Sequence, residues 1–224
     1  MILRNKVIII PAYNEEKTIE RCINNFTNIA DIIVIDDGSV DNTKILAKKN
    51  NVYVFSHSAN LGYDKSITSG FAEAIKFNYK YIVTADADGQ HRAIDIEKCF
   101  KLLEKENFDL VLGKRDKVNR FSEKILNFLS SKFLGIEDLL CGLKGYNINT
   151  ITKYNLNQKF NFVGTFVAIN AIQDSIEFNY MPVKIGKRID SPRFGNIFSS
   201  NYKIIKLILI IFFFIYLKNE YKIY

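Results

Sequence analysis

One stretch of this 224-residue chain reads Tyr81-Ile82-Val83-Thr84-Ala85-Asp86-Ala87-Asp88-Gly89-Gln90. Its first half is largely apolar and β-branched, which is typical of a strand buried inside a sheet. Its second half places two carboxylates, a glycine and an amide directly after that strand. Because ligands of open α/β sheets bind outside the carboxyl ends of the strands, this stretch predicts an α/β fold with a ligand site at the strand's end.

The strand pattern repeats along the chain and alternates with helical spacing. Strands are predicted at residues 7–10, 32–35, 52–55, 81–85, 110–112 and 176–183. Helices are predicted at residues 15–26, 43–50, 65–77, 94–104, 121–133 and 163–172. This alternation implies right-handed βαβ units and a Rossmann-like, mostly parallel sheet with helices on both faces. The absence of a G-x-G-x-x-G turn after the first strand counts against a dehydrogenase.

Acidic clusters follow two of these strands, at Asp36-Asp37 and at Asp86-x-Asp88. If the chain stays extended, Asp86 and Asp88 project from the same side and converge on one cation. Hard oxygen ligands favour Mg²⁺ or Mn²⁺, which keep coordination positions open for diphosphate oxygens. Each cluster alone is also compatible with a solvated acidic turn. Their common position on one sheet edge is what favours a binding site.

Charge and cysteine content restrict the setting. The formal net charge is +7, and residues 184–224 carry eight Lys or Arg against Asp190 and Glu220. A basic end beside an apolar run indicates an anionic membrane surface or a phosphate-bearing substrate rather than nucleic acid, although a solvated lysine-rich tail is the alternative. Three widely spaced cysteines and no signal-peptide pattern favour reduced thiols in the cytoplasm.

Several segments carry a family pattern in a fixed order. They are Ile10-Pro11-Ala12-Tyr13-Asn14-Glu15-Glu16, Val34-Ile35-Asp36-Asp37-Gly38-Ser39 with Asp41 and Thr43, Asn60-x-Gly62 with Gly70, Asp86-Ala87-Asp88-Gly89-Gln90-His91, and Asp138-x-x-Cys141-Gly142-Leu143-Lys144. Together they resemble the family 2 inverting glycosyltransferases that include the dolichyl- and polyprenyl-phosphate mannose and glucose synthases. The resemblance implies a nucleotide-diphospho-sugar transferase (GT-A) fold and a metal-dependent hexosyltransferase.

The resemblance also implies roles for individual residues. Those implied to contact the nucleotide sugar are Pro11, Ala12, Tyr13, Glu15, Asp36, Asp37, Asp86 and Ala87. Among them, Asp37 would hold the base or ribose with Asp36 in support, and Asp86 would assist donor placement. Asp88 and Gln90 would bind Mg²⁺ or Mn²⁺, which makes Asp88 a catalytic residue as well.

Two acceptors are compatible with these motifs, and they differ in whether a base is needed. Polyprenyl phosphate is already ionised and needs none. A sugar hydroxyl, as in surface polysaccharide or lipopolysaccharide synthesis, requires a general base, for which Asp138 is the candidate; a capping or turn role is the alternative.

Arg188 and Arg193 have guanidinium groups suited to acceptor phosphate, with Arg188 also expected to be catalytic. Their loop reads Ser191-Pro192-Arg193, where the lipid-phosphate synthases have Gly-x-Ser-Lys, so both acceptors stay open. Tyr63-Asp64-Lys65 also departs from the smaller residues usual after the Asn60 motif.

The last part of the chain predicts a surface helix. Residues 204–217 are apolar except for Lys206, and such a helix rises only about 21 Å against about 30 Å of hydrocarbon. Flanking lysines and tyrosines favour peripheral attachment to the inner face of the cell membrane. A buried packing helix or a helix that forms oligomers is the alternative.

The predicted organisation is a catalytic domain over residues 1–200, with a donor half at 1–115 and an acceptor half at 116–200, followed by the C-terminal helix at 201–224. A non-catalytic binding protein of the same fold is a further possibility. The metal-site pattern of Asp86, Asp88 and Gln90, intact in this sequence, argues against it.

Overall fold

In a computed structural model of the chain, the described residues are 5–118, 120–154, 163–186, 202 and 204–209. The strands among them are β1 (Lys6–Ala12), β2 (Asp31–Asp36), β3 (Tyr53–Ser56), β4 (Tyr81–Thr84), β5 (Leu110–Arg115), β6 (Lys144–Asn147) and β7 (Phe178–Val183). The helices are α1 (Ile19–Phe26), α2 (Thr43–Lys48), α3 (Tyr63–Lys76), α4 (Ala93–Lys105), α5 (Phe121–Leu134), α6 (Ile148–Lys153) and α7 (Val163–Gln173). Residues 202 and 204–209 are also helical.

The strands form one sheet in the order β3-β2-β1-β4-β6-β5-β7. Strands β1 to β4 pair in parallel, β7 pairs in parallel with β5, and β6 lies antiparallel between β4 and β5. The predicted mostly parallel sheet is therefore confirmed, with one reversed strand inside it. That reversal brings the beginning of β6 to the edge of the sheet where β4 ends.

The central strands are buried on both faces. The four isoleucine and valine side chains at residues 7–10 have no exposed surface, and those at residues 32–35 have at most 1%. Each fully buried aliphatic side chain of this size contributes about 1.5–3 kcal/mol relative to an exposed one. Such strands occur where helices cover both faces of a sheet, as the sequence predicts.

The predicted elements agree with the structure in type, and the differences lie at their ends. Helix α1 begins at Ile19, so Glu15 and Glu16 precede it instead of forming its first turn. Strand β1 extends through Pro11 and Ala12, beyond its predicted end. Strand β6 and helix α6 were not predicted.

The chain forms two compact units. The first comprises Met1–Asp116 and Leu140–Asp190, and it contains the whole sheet. The second comprises Lys117–Leu139 and Ser191–Tyr224, and its described part consists of α5 with its flanking residues and the helical residues 202 and 204–209. Among the described residues, no helix has the length and apolar character needed to cross a membrane.

Candidate active site

The candidate site lies where β1, β2 and β4 end. Ala12 is in register with Asp36 across β1 and β2, and Ile9 with Thr84 across β1 and β4. Because these strands are parallel, the segments that follow them emerge at one edge of the sheet. The acidic clusters Asp36-Asp37 and Asp86-x-Asp88 therefore belong to the same edge, as predicted.

The segment after β4 turns sharply instead of continuing as a strand. Strand β4 ends at Thr84, residues 87 and 88 form a turn, and Gly89 has a φ of 77°, in the left-handed region that favours glycine. The condition for Asp86 and Asp88 to project from one strand face is therefore not met. The two carboxylates have separate partners, which supports separate roles.

Asp88 is 7% exposed, and its Oδ1 accepts a hydrogen bond of 3.0 Å from the backbone N–H of Gln90. The side chain of Gln90 donates through Nε2 to the carbonyl of Gly186 at 3.0 Å, and the N–H of Gly186 donates to the carbonyl of Gln90 at 3.0 Å. This pairing orients the Gln90 amide, with Oε1 as its remaining ligand atom. It also ties the segment to the chain just beyond β7.

The carboxylate of Asp86 is one-third exposed and contacts two side chains. Nε2 of His91 lies 3.2 Å from its Oδ2, and the hydroxyl of Tyr63 lies 3.4 Å from its Oδ1. Burial alone would raise its pKa, but the hydrogen bond and electrostatic interaction with His91, together with the positive charges of Lys144 and Arg115, outweigh burial and lower the pKa. Asp86 is therefore held as an anion among cationic neighbours.

Gly142, which precedes β6, lies next to the same carboxylate because β6 pairs with β4. Thr84 is in register with Lys144 across β4 and β6, and its hydroxyl donates to the carbonyl of Gly142 at 2.7 Å. A Cβ at residue 142 would lie under 3.0 Å from both carboxylate oxygens of Asp86. Any larger residue here would therefore force the Asp86 carboxylate to shift. Buried Lys144 donates to the carbonyl of Cys141.

The ring of His91 is buried, and one of its two nitrogens has no hydrogen-bond partner among the described residues. It is 4% exposed, and its Nδ1 is the one buried side-chain nitrogen or oxygen in the described residues that has no hydrogen-bond partner. The other ring nitrogen contacts Asp86. The ring therefore orients the Asp86 carboxylate from inside the protein.

Asp37 accepts hydrogen bonds from the loop that precedes α3. Its Oδ1 lies 2.7 Å from Nδ1 of His57 and accepts from the N–H of Leu61 at 2.9 Å, and its Oδ2 accepts from the N–H of Gly62 at 2.8 Å. A carboxylate only accepts, so Nδ1 carries a ring hydrogen, and Nε2 lies 2.9 Å from the Ser69 hydroxyl. Asp37 thus fixes the loop after β3 at the sheet edge.

The loops after β1 and β2 are joined to each other. The N–H of Asn14 donates to the Ser39 hydroxyl at 3.0 Å, and the N–H of Glu15 donates to the Thr43 hydroxyl at 2.7 Å. Asp36 accepts from the N–H of Ser39 at 3.2 Å. This network explains why Ser39 and Thr43 belong to the sequence pattern: they hold the predicted nucleotide-binding loop in place.

The predicted site residues fall into three groups. The described ones at this edge are Pro11, Ala12, Tyr13, Glu15, Asp36, Asp37, Asp86, Ala87, Asp88 and Gln90. Pro11 and Ala12 are buried parts of β1, so ligand contacts from them would be limited to the backbone. Asp138 is 2% exposed and belongs to the second unit, where its role as a base stays a prediction. Arg188 and Arg193 lie outside the described residues.

Several residues of this edge were not predicted from the sequence. They are His57 and Arg115, together with the roles of Lys144 and Tyr63 near Asp86. His57 and Lys144 are both polar residues beside glycine-containing motifs, which was the available signal. Arg115 ends β5 and had no signal of its own.

The side chains of this edge can be compared with the needs of the implied Mg²⁺ or Mn²⁺. Within the described part of the chain, no group of three or more His, Cys, Asp or Glu is arranged to hold a metal ion. Asp88 and Gln90 offer one carboxylate and one amide oxygen, both oriented by backbone contacts. Mg²⁺ is commonly bound by one or two carboxylates with substrate phosphates and water supplying the rest. The residues therefore fit a metal that is shared with a diphosphate.

Cysteine labelling gives a direct test of the packing beneath this segment. Cys22 donates through Sγ to the carbonyl of Ala87 at 3.2 Å, and burial, with the charge of Asp88, raises the pKa of its thiol to about 12. Cys22, Cys99 and Cys141 are at most 1% exposed. Because the thiolate is the reactive form, we expect none of the three to react with Ellman's reagent at pH 8 until the protein is unfolded. One thiol that reacts rapidly in the native protein would contradict this packing.

Solved structures define the class of the fold. Glucosyl-3-phosphoglycerate synthase from Mycobacterium tuberculosis, determined in complex with Mn²⁺, UDP and glucosyl-3-phosphoglycerate, superposes with a TM-score of 0.73. The match covers 92% of this chain and 79% of the synthase at 20% identity. The fold, a mixed and mostly parallel sheet with its polar edge at the ends of β1, β2 and β4, is that of the GT-A nucleotide-sugar transferases.

The family follows from the sequence. The model of glycosyl transferase family 2 matches residues 7–171, and the chain belongs to that family. The match confirms the predicted family and the predicted enzyme class, that of the glycosyltransferases.

Relatives within the family include lipid-phosphate sugar transferases. UDP-N-acetylglucosamine–dolichyl-phosphate N-acetylglucosaminyltransferase of Methanococcus voltae is 37% identical over 49% of this chain and 51% of the relative. Polyprenol monophosphomannose synthase of Mycolicibacterium smegmatis is 26% identical over 67% and 64%. An uncharacterised protein of Methanocaldococcus jannaschii is 34% identical over 65% and 66%. The chain thus spans about half to two thirds of the length of these relatives.

Proposed function

We propose that this chain transfers a sugar, with inversion, from a UDP- or GDP-linked donor to polyprenyl phosphate. The observation that carries the proposal is the segment after β4, where Asp88 and Gln90, two residues apart, are oriented by their contacts with the backbone. The solved complex of glucosyl-3-phosphoglycerate synthase with Mn²⁺ and UDP supports the same type of donor site here. When bound by Asp88 and Gln90, Mg²⁺ or Mn²⁺ would neutralise charge on the departing nucleotide diphosphate.

The chain's own residues prepare the site for a charged donor. Asp37 holds the loop that precedes α3 against the end of β2, and the loops after β1 and β2 are joined by Ser39 and Thr43. Asp86 is kept ionised and oriented by His91, Tyr63 and the charge of Lys144. A hydrogen-bond acceptor fixed in this way suits the donor sugar's hydroxyl groups. Preorganisation of such polar groups is a major source of rate enhancement.

Polyprenyl phosphate is the acceptor that the relatives favour. By their names, two of these relatives are a dolichyl-phosphate N-acetylglucosaminyltransferase and a polyprenol monophosphomannose synthase. A phosphate oxygen attacks as an anion, so the reaction requires cationic groups rather than a base. The carbonyl of Gly186 accepts a hydrogen bond from the side chain of Gln90. Arg188 comes two residues after Gly186 in the sequence. We assign Arg188 and Arg193 to the acceptor phosphate on this basis.

This acceptor also sets where the enzyme acts. Polyprenyl chains are confined to the membrane, so transfer takes place at its surface, which we take to be the inner face of the cell membrane. The basic C-terminal segment agrees with that location. If the enzyme does not use lipid phosphate, we assign a sugar hydroxyl as the acceptor and Asp138 as its general base.

A transfer assay tests the proposal. The purified chain is incubated with polyprenyl phosphate and labelled UDP-glucose, UDP-N-acetylglucosamine or GDP-mannose, with Mn²⁺ or with EDTA. We expect one donor to give a lipid-linked product that disappears with EDTA and returns when Mn²⁺ is added. If no donor gives a lipid-linked product while a soluble glycan is extended, the acceptor assignment is wrong. If EDTA has no effect, the metal assignment is wrong.

His57 is expected to act through Asp37 on nucleotide binding. Its bond to a carboxylate belongs to the class worth about 1.5–3 kcal/mol, so His57→Ala should weaken nucleotide diphosphate binding by about tenfold or more, with a smaller change in kcat. His57→Asn is the matched control, because its amide restores a donor near the position of Nδ1. Isothermal titration calorimetry with UDP and with GDP measures the nucleotide affinity of both variants. Equal nucleotide affinities for the wild type and His57→Ala would show that His57 does not support nucleotide binding.

A further inference from the structure

Helix α5 exposes several large apolar side chains and buries several polar ones. Phe121 is 77% exposed and Phe128 is 66% exposed, with Ile125 and Phe133 also on the surface. The buried residues of the same helix include Ser122, Glu123 and Ser130. A helix on a water-exposed surface has the opposite distribution. The outer face of α5 therefore has the composition of a surface that meets an apolar neighbour.

Five of the seven exposed residues of α5 form one stripe along the helix. Phe121, Lys124, Ile125, Phe128 and Lys132 follow one another at spacings of three and four residues, which places them on one side. Both exposed charges of the helix are lysines. Its single acidic residue, Glu123, is buried and paired with Arg120 at 3.3 Å. The stripe thus combines aromatic and aliphatic side chains with positive charge only.

The helical residues near the C-terminus repeat this composition. Tyr202 is 68% exposed and Leu209 is 65% exposed, with Ile205 and Lys206 also on the surface, while Ile204 and Leu207 are buried. The four exposed residues again follow helical spacing. Two segments of the same compact unit therefore carry the same outer pattern, in which lysine stands among large apolar side chains.

We propose that α5 and the helical residues 202 and 204–209 form a docking surface for an anionic lipid bilayer. Exposed aromatic and aliphatic groups insert at the headgroup boundary, and the lysines Lys124, Lys132 and Lys206 attract anionic headgroups. The charge pattern selects this occupant, since a second copy of the same surface would oppose lysine to lysine. The inference rests on the proposed function for its biological reason, because a polyprenyl phosphate acceptor lies in the membrane.

Vesicle co-sedimentation of the full chain tests this surface. The vesicles consist of phosphatidylcholine with or without phosphatidylglycerol. We expect binding that requires phosphatidylglycerol, and more than about tenfold weaker partitioning for Phe121→Ser/Phe128→Ser, because two large apolar side chains no longer insert. Lys124→Glu/Lys132→Glu should lose at least as much, since each lysine near an anionic surface contributes about fivefold. Ile45→Ser/Lys48→Glu on α2, which also changes an exposed aliphatic residue and a lysine, should bind as the wild type does.

The outcomes separate this surface from its alternatives. Absence of wild-type binding to either vesicle, or unchanged binding of both α5 variants, overturns the proposal. It is also overturned if the α5 changes convert a dimer to a monomer, by light scattering, while vesicle binding persists. If the phenylalanine variant fails to fold by circular dichroism, the lysine variant decides. Vesicle binding is measured without donor or acceptor, so it is independent of whether the chain glycosylates polyprenyl phosphate. Failure of one does not imply failure of the other.

Discussion

Asp88→Asn is expected to lower kcat by on the order of 10²–10³-fold, the range seen when one preorganised group that stabilises developing charge is removed. The Asp88 carboxylate is nearly buried and accepts a hydrogen bond from the backbone N–H of Gln90. Asparagine has nearly the same shape as aspartate. Its side-chain oxygen still accepts from the N–H of Gln90, so the turn is preserved. What is lost is the negative charge that the bound metal requires. The fold should therefore survive while turnover does not.

Initial rates over a range of Mn²⁺ concentrations measure this effect. We expect the variant to need more Mn²⁺ for half-maximal activity as well as to have a lower maximum. Glu73→Gln on α3 is the matched control, since it makes the same carboxylate-to-amide change in a surface pair with Lys76. Its rates should equal those of the wild type. If kcat and the Mn²⁺ dependence are unchanged in Asp88→Asn, Asp88 does not bind the metal.

Gly142→Ala is expected to lower kcat/KM by about 10²-fold, because a misplacement of about 1 Å in a catalytic arrangement has an effect of that size. The added Cβ would lie under 3.0 Å from both carboxylate oxygens of Asp86. That carboxylate must then move away from Gly142 and from its contacts with His91 and Tyr63. Overpacking of this kind also lowers the free energy of unfolding by about 1–3 kcal/mol.

Donor turnover and thermal unfolding separate the two effects of Gly142→Ala. Gly164→Ala on α7 is the control, since the described atom nearest to its added Cβ is the Tyr146 hydroxyl at 3.0 Å, a longer distance than any at Gly142. We expect it to retain wild-type activity. Full activity of Gly142→Ala would show that the Asp86 carboxylate is free to shift, and that its position after β4 is not critical. That result would weaken its role in donor placement.

The sheet was predictable from the sequence because its central strands are nearly uniform in apolar side chains. Residues 7–10 and 32–35 are buried on both faces, so no polar alternation obscures them. Strand β6 was not predictable in the same way. It has four residues, two of which are Lys144 and Gly145, and its antiparallel pairing with β4 depends on the packing of residues that are distant in sequence.

The site was predictable in its position but not in its contacts. Polar clusters after β1, β2 and β4 indicate the edge of the sheet on local grounds alone. The bond between Asp37 and His57, and the approach of Gly142 to Asp86, are tertiary contacts that no local pattern contains. The convergence of Asp86 and Asp88 was predicted only for an extended chain, and that condition is not met because β4 ends at Thr84 and residues 87 and 88 form a turn.

The proposed chemistry depends above all on Asp88 and Gln90 holding a divalent metal together with the donor diphosphate. Anomalous diffraction from a crystal soaked with Mn²⁺ and a nucleotide diphosphate would locate that metal. We expect one manganese peak in contact with the side chains of Asp88 and Gln90 and with the diphosphate, and its loss in Asp88→Asn crystals. A manganese peak elsewhere on the chain, or a diphosphate bound away from the end of β4, would contradict this assignment.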